Sequence, residues 1–119
     1  MIKVKLSGIY IITHEPSGKF YIGMSRDIYA RWGSHYGSIK TASHSSTSFM
    51  NLFLQTDITE WSFRVLEAHS FTKYKRDNDL RGQVAVSAFR TFLLSREKYI
   101  MSQYSKNFSL NKNNKWFAD

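Results

Sequence analysis

Nine acids, four histidines and seven tyrosines are the side chains of this 119-residue sequence suited to holding a metal ion or moving a proton. Most of the acids fall where caps, turns or chain ends use them. Asp27 precedes a helical stretch as an N-cap, and Glu15, Asp57, Asp77, Asp79 and Asp119 lie in turns, loops or the C-terminal end. Glu60 precedes an alternating apolar run and Glu67 follows it. Glu97 differs, because Leu93, Leu94, Ile100 and Met101 surround it at helical spacing. A carboxylate in that setting costs free energy to desolvate unless it has a partner or a metal. Either Glu97 is solvated or paired with a neighbour such as Arg96, or it binds a cation. A single carboxylate points to one hard cation, since two-metal sites share several acids.

Arg31 and His35 stand at i and i+4 and share one helical face. A guanidinium there can hold phosphate oxygens bidentately, and an imidazole can move a proton. A surface cation pair has the same spacing. Tyr10 and Tyr21 lie in strand-like segments, where phenols ordinarily serve as core or cross-strand residues. With an ordinary pKa of about 10, a phenol becomes a proton acceptor only beside a cation or metal. His14, His35, His44 and His69 lack the helical spacing of zinc-binding pairs, and there is no cysteine to supply thiolates.

The elements that must position these groups follow from periodicity. Residues 2–12 read as a first strand, alternating at Ile2, Val4 and Leu6 and then rich in β-branched residues. Residues 14–19 contain Pro16 and Gly18 and form a turn, and Phe20 to Gly23 return as the second strand of a hairpin. Ile28, Trp32, Tyr36 and Ile39 recur at helical spacing and are expected to face the core. Residues 41–48 are a Ser/Thr loop, and Phe49, Leu52 and Phe53 mark a short second helix. Trp61, Phe63 and Val65 alternate as a third strand. Residues 73–83 are polar and read as an exposed basic loop. The longest helix runs from about Gln83 to Tyr104, with Val84, Ala88, Phe92, Tyr99 and Ile100 among its apolar positions. The expected fold is α+β, a small three-stranded antiparallel sheet flanked by helices, in one domain spanning 1–119.

Composition narrows the partner. Seventeen Lys and Arg against nine Asp and Glu leave a formal charge of +8, which favours a polyanion, most often nucleic acid. A hydrophobic content of 42% supports a packed core and excludes a disordered tail. No apolar run is long enough to span a bilayer, and residues 1–6 alternate with lysine, unlike a signal peptide. The missing cysteines fit a reducing compartment such as the cytoplasm.

Gly8-Ile9-Tyr10, ten intervening residues and then Tyr21-Ile22-Gly23 resemble the defining signature of the GIY-YIG nuclease superfamily. Arg31 stands eight residues after Gly23, where that family keeps an arginine, and His35 follows at the spacing of its homing-endonuclease branch. His44-Ser45-Ser46, Glu97 within Arg96 to Ile100, and Asn111 after Ser109-Leu110 extend the match over nearly the whole chain. The resemblance implies a metal-dependent DNA endonuclease of phage or mobile-element type, acting in a bacterial or phage-infected cell. It implies one Mg²⁺ or Mn²⁺ ion on Glu97, Arg31 on the scissile phosphate, and Tyr10 as proton acceptor, helped by Tyr21 or His35. It implies roles for Asn111 in the site and for His44 on the DNA, and products with a 5′-phosphate and a 3′-hydroxyl.

Two features depart from the family pattern. The 73–83 segment is longer than its usual link, and its Lys73, Lys75, Arg76 and Arg81 form either an extra DNA contact or a solvated loop. The sequence also has no room for a separate DNA-recognition domain. Specificity is then low, or comes from loops, from a homodimer or from another partner. The competing functional class is a nucleic-acid-binding module with weak or no catalysis, and a third is an adaptor. Binding without cleavage under Mg²⁺, Mn²⁺ or Ni²⁺ separates the module from the enzyme, and convergence of Tyr10, Tyr21, Arg31 and Glu97 in one cleft separates the adaptor from it.

Overall fold

The computed structural model describes residues 5–40 and 46–119, with side chains from 5–37 and 46–119. The expected strand signal at Ile2 and Val4, the helical position of Ile39 and the DNA contact at His44 lie outside those side chains. Three strands form one antiparallel sheet in the order β2-β1-β3: β1 is Ser7–His14, β2 is Lys19–Ser25 and β3 is Trp61–His69. Helices α1 (Ile28–Lys40) and α2 (Thr47–Gln55) separate the hairpin from β3. Helices α3 (Phe71–Asp77) and α4 (Gly82–Met101) follow it. The expected α+β architecture is the one observed.

The apolar run of β1 belongs to a central strand buried on both faces. Tyr10 and Ile12 pack with Ile28, Phe49, Trp61 and Leu110 on one face. Ile9 and Ile11 pack with Phe20, Ile22, Met101 and Phe117 on the other. Each such large side chain, fully buried, contributes about 1.5–3 kcal/mol, so both layers anchor to the same strand. Edge strand β2 lies between the helices of the two layers, which is where a cleft can open. As expected, Asp27 caps α1, its Oδ1 accepting from the Ala30 amide at 3.3 Å.

Four sequence expectations change. Residues 73–77 of the expected 73–83 loop are helical, as part of α3. Ser70 caps that helix, accepting from the Lys73 amide at 3.1 Å, and Phe71 and Tyr74 pack on Phe89 of α4. Two aromatics three apart suffice to dock a helix of about two turns, but they are too short a pattern to announce one. On α1, Ile28 is buried and Trp32 half-buried, whereas Tyr36 is exposed and His35 takes the inward position. On α4, the core positions are Ala85, Phe89, Leu93 and Met101, with Val84 and Tyr99 exposed. Adjacent helical positions point about 100° apart, and the packing partners choose between them. Finally, Glu67 lies within β3, not after it.

Candidate active site

The two tripeptides of the hairpin are structural before they are chemical. Gly8 sits where β3 comes so close that an added Cβ would lie 1.9 Å from the Glu67 carbonyl oxygen. The register between β1 and β3 also shifts at Ile9/Tyr10. Gly23 pairs directly with Tyr10 across the hairpin. A Cβ on Gly23 would lie 2.4 Å from the Tyr10 hydroxyl oxygen and 2.5 Å from its Cζ. The missing side chain therefore lets the Tyr10 ring lie across the edge strand and bring its hydroxyl to the cleft. Tyr21 pairs with Ile12, so it stands on the same face, diagonal to Tyr10.

A cleft of 330 Å³ lies over this edge. Tyr10 from β1, Tyr21 and Gly23 from β2, Arg31 from α1, Glu97 from α4 and Asn111 from the C-terminal segment all line it. His35 does not. It is buried behind the tyrosines, its Nε2 2.6 Å from the Tyr10 hydroxyl and its ring edge-on to Tyr21 at 4.9 Å. The expected Arg31/His35 face thus divides into an exposed guanidinium and an enclosed imidazole. Asn111 is spent on the backbone: its Oδ1 accepts from the Ile22 amide at 2.9 Å and its Nδ2 donates to the Ile22 carbonyl at 2.7 Å. That bidentate clasp ties the C-terminal segment to β2.

The electrostatics are those of a site where largely buried phenols and a half-buried carboxyl meet the exposed Arg31. Burial pushes Tyr10 well above the ordinary phenol range, and nearby Tyr21 adds to the effect. Tyr21 is raised by burial too. Charge and hydrogen bonding from Arg31 pull both back down, and Glu97 opposes it. Burial raises the Glu97 carboxyl to about 7, with Lys98 acting in the opposite sense.

The remaining acids show why Glu97 stands out. Glu60 holds His14, Glu15 holds Ser62, Asp57 caps a short 3-10 turn, and Asp119 pairs with Lys106. Glu67 takes Arg96, the neighbour that could have neutralised Glu97. Among the described residues Glu97 has no hydrogen-bond or ion-pair partner. No group of three or more metal-ligating side chains occurs among them either. A lone, half-buried carboxylate facing an open cleft suits a hard cation that keeps most of its waters, and does not suit zinc.

The basic residues expected on the 73–83 segment are not brought to this cleft. Lys75, Arg76 and Arg81 line a separate depression at the α3–α4 turn, and Lys73 lines another with His69 and Tyr74. Lys75 also sits over the Phe71 ring at 4.6 Å. Residues that the sequence left unmarked do reach the cleft: Lys112, Asn113 and Trp116 line it with Leu94 and Met101. The available signal was an aromatic between lysines near the C-terminus, too common a pattern to single out.

A family model described as the GIY-YIG catalytic domain matches residues 6–114. Two solved structures share the fold. One is a point mutant of the catalytic domain of intron endonuclease I-TevI, with TM-score 0.68, 22% identity and coverage of 95% of this chain and 99% of that one. The other is the catalytic domain of homing endonuclease I-TevI, with TM-score 0.65, 22% identity and coverage of 90% and 98%. No curated protein sequence matches.

Proposed function

The chain belongs to the GIY-YIG family, and on that premise we propose that it is a divalent-metal-dependent DNA endonuclease of homing or phage type. The observation that carries the proposal is the convergence of Tyr10, Arg31 and Glu97, from three separate elements, on one cleft. Glu97 would hold a single Mg²⁺ or Mn²⁺ ion, which supplies Lewis-acid charge to the phosphate and anchors water nearby.

The other steps belong to side chains. Arg31, exposed at the cleft edge, grips the non-bridging oxygens of the scissile phosphate bidentately. Its charge offsets the negative charge that grows there in the transition state. Tyr10 is a neutral phenol at neutral pH, as its ordinary pKa of about 10 already requires, and burial favours that form further. With His35 Nε2 unprotonated, the Tyr10 hydroxyl donates to it and keeps a lone pair for the attacking water. As water attacks phosphorus, its proton passes to Tyr10 and the phenolic proton passes on to His35. The P–O3′ bond breaks, leaving a 5′-phosphate, and the released 3′ oxygen takes a proton from solvent. Tyr21 packs edge-on against His35 and keeps the imidazole in place. Asn111 positions the segment that closes the cleft.

Double-stranded DNA is the proposed substrate. Lys73, Arg76 and Arg81, all exposed, lend charge to its backbone away from the cut, with His44 and Lys75 assigned to the same task. One such site cuts one strand, so a double-strand break requires a homodimer or a second visit. The test is supercoiled plasmid with Mg²⁺ or Mn²⁺. The wild-type chain should nick it, and both Glu97→Ala and Arg31→Ala should not. Equal cutting by Glu97→Ala would falsify the assignment, and binding without cutting would leave a DNA-binding module.

A further inference from the structure

We infer that Trp116, with Lys98, Lys112 and Lys115, forms a phosphate-binding rim on the cleft that holds the DNA strand beside the bond being cut. The inference takes its ligand from the nuclease reading above. Its geometry stands separately.

Trp116 lines the cleft and is 40% exposed, whereas the next residue, Phe117, is 7% exposed in the core. The segment carrying them is fixed at both ends. Asn111 clasps Ile22 at one end. At the other, the Ala118 amide donates to the Tyr104 carbonyl at 2.9 Å and the Lys106 amide to the Ala118 carbonyl at 2.7 Å. A large indole is thus held at the cleft wall by its neighbours. Its own ring carries two ammonium groups, Lys98 Nζ at 4.2 Å and Lys115 Nζ at 4.9 Å from the centroid. Lys98 comes from α4 and Lys115 from the C-terminal segment, so the indole gathers cations from two elements.

The sign of the rim identifies the ligand class. Arg31 and Lys112 line the cleft, Lys98 and Lys115 stand on its indole wall, and Glu97 is the acid facing them. A cation occupying Glu97 adds further positive charge. Such a surface suits successive phosphates of one strand, with Arg31 on the reacting group and the rim on its neighbours. Long lysines lose conformational freedom when they bind phosphate, and Trp116 has already restricted two of them. Trp116 is therefore a positioning residue.

The experiment is anisotropy of a short labelled duplex in EDTA, titrated across KCl concentrations, so that no cleavage intervenes. Lys112→Ser/Lys115→Ser, altered at two exposed positions, should lower the slope of log affinity against log salt by about 2, near 0.9 for each phosphate that the protein ceases to neutralise. Trp116→Ala should weaken binding about two- to five-fold and flatten the slope, while Trp116→Phe restores most of both. An unchanged slope in the double lysine variant overturns the rim. So does a Trp116→Ala loss with the wild-type slope, which would mean base stacking. Failure of the wild-type chain to bind duplex overturns the rim as well. Binding with the expected slopes but no plasmid nicking upholds the rim and removes the nuclease reading.

Discussion

Arg96 donates two hydrogen bonds to Glu67, from Nε to Oε1 at 2.6 Å and from Nη2 to Oε2 at 2.8 Å. This pair joins α4 to β3 and commits the one arginine adjacent to Glu97 elsewhere. Glu97, the next residue of the helix, turns toward the cleft instead. Among the described residues, Glu97 thus lacks the ion pair that its neighbour Arg96 gives to Glu67.

The Arg96 hydrogen bonds, helped by His69, hold Glu67 at about 2 against burial. A carboxyl lowered in the folded state stabilises above its unfolded pKa of about 4.5, and that stability is lost as pH falls toward 2. Glu67→Gln should cost about 1–2 kcal/mol at pH 7, allowing for solvent screening of a partly exposed pair. Urea unfolding at pH 7 and pH 3 should show the gap between variant and wild type narrowing in acid.

Glu97 has the opposite sign. Its carboxyl is raised to about 7, so its contribution is present below about 4.5 and is lost as pH rises through 7. Without metal, Glu97→Gln should therefore be more stable than wild type at pH 8, by about 1–3 kcal/mol, and similar to it near pH 4.5. The same variant should be inactive on plasmid. Melting curves in EDTA at the two pH values check the first outcome.

Tyr10→Phe keeps the ring over Gly23 and removes the hydroxyl bonded to His35. The variant should fold and slow cleavage about 10²-fold or more, the scale of a lost proton-transfer group. Single-turnover cleavage, with circular dichroism as the control, separates chemistry from folding.

Gly23→Ala places a methyl group against the Tyr10 ring, within 2.5 Å of Cζ. It should destabilise the fold by about 1–3 kcal/mol through overpacking. Combining it with Tyr10→Ala, which removes the obstructing ring, should cost less than the sum of the two single changes. A strictly additive double-mutant cycle would contradict the contact.

Asn111→Ala cuts two hydrogen bonds to the Ile22 backbone and leaves both backbone groups without that partner. A loss of about 1–3 kcal/mol is expected, with weaker cleavage because the wall carrying Lys112 and Trp116 loosens. Hydrogen exchange at the Ile22 amide should rise in the variant.

Much of the fold was readable locally. The hairpin, the three strands, the two helices between them and the long C-terminal helix follow from alternation, turn residues and a cap, all set by near neighbours in sequence. The choice of Tyr10, Tyr21, Arg31, Glu97 and Asn111 was legible as an ordered pattern, because each residue type keeps a characteristic distance from the next. Three-dimensional packing settled the rest. His35 turned inward because Tyr10 of β1, 25 residues before it, and Phe49 of α2 enclose it. Glu97 rather than Arg96 faces the cleft because it continues the i+4 stripe of Ala85, Phe89, Leu93 and Met101, while Arg96 pairs with Glu67, 29 residues before it. Residues 71–77 are helical because Ser70 caps them and Phe89 and Phe92 of α4 receive Phe71 and Tyr74. A 3.6-residue period limits a helix to an apolar face but leaves adjacent positions, about 100° apart, to partners distant in the chain. Those partners meet only in the tertiary structure.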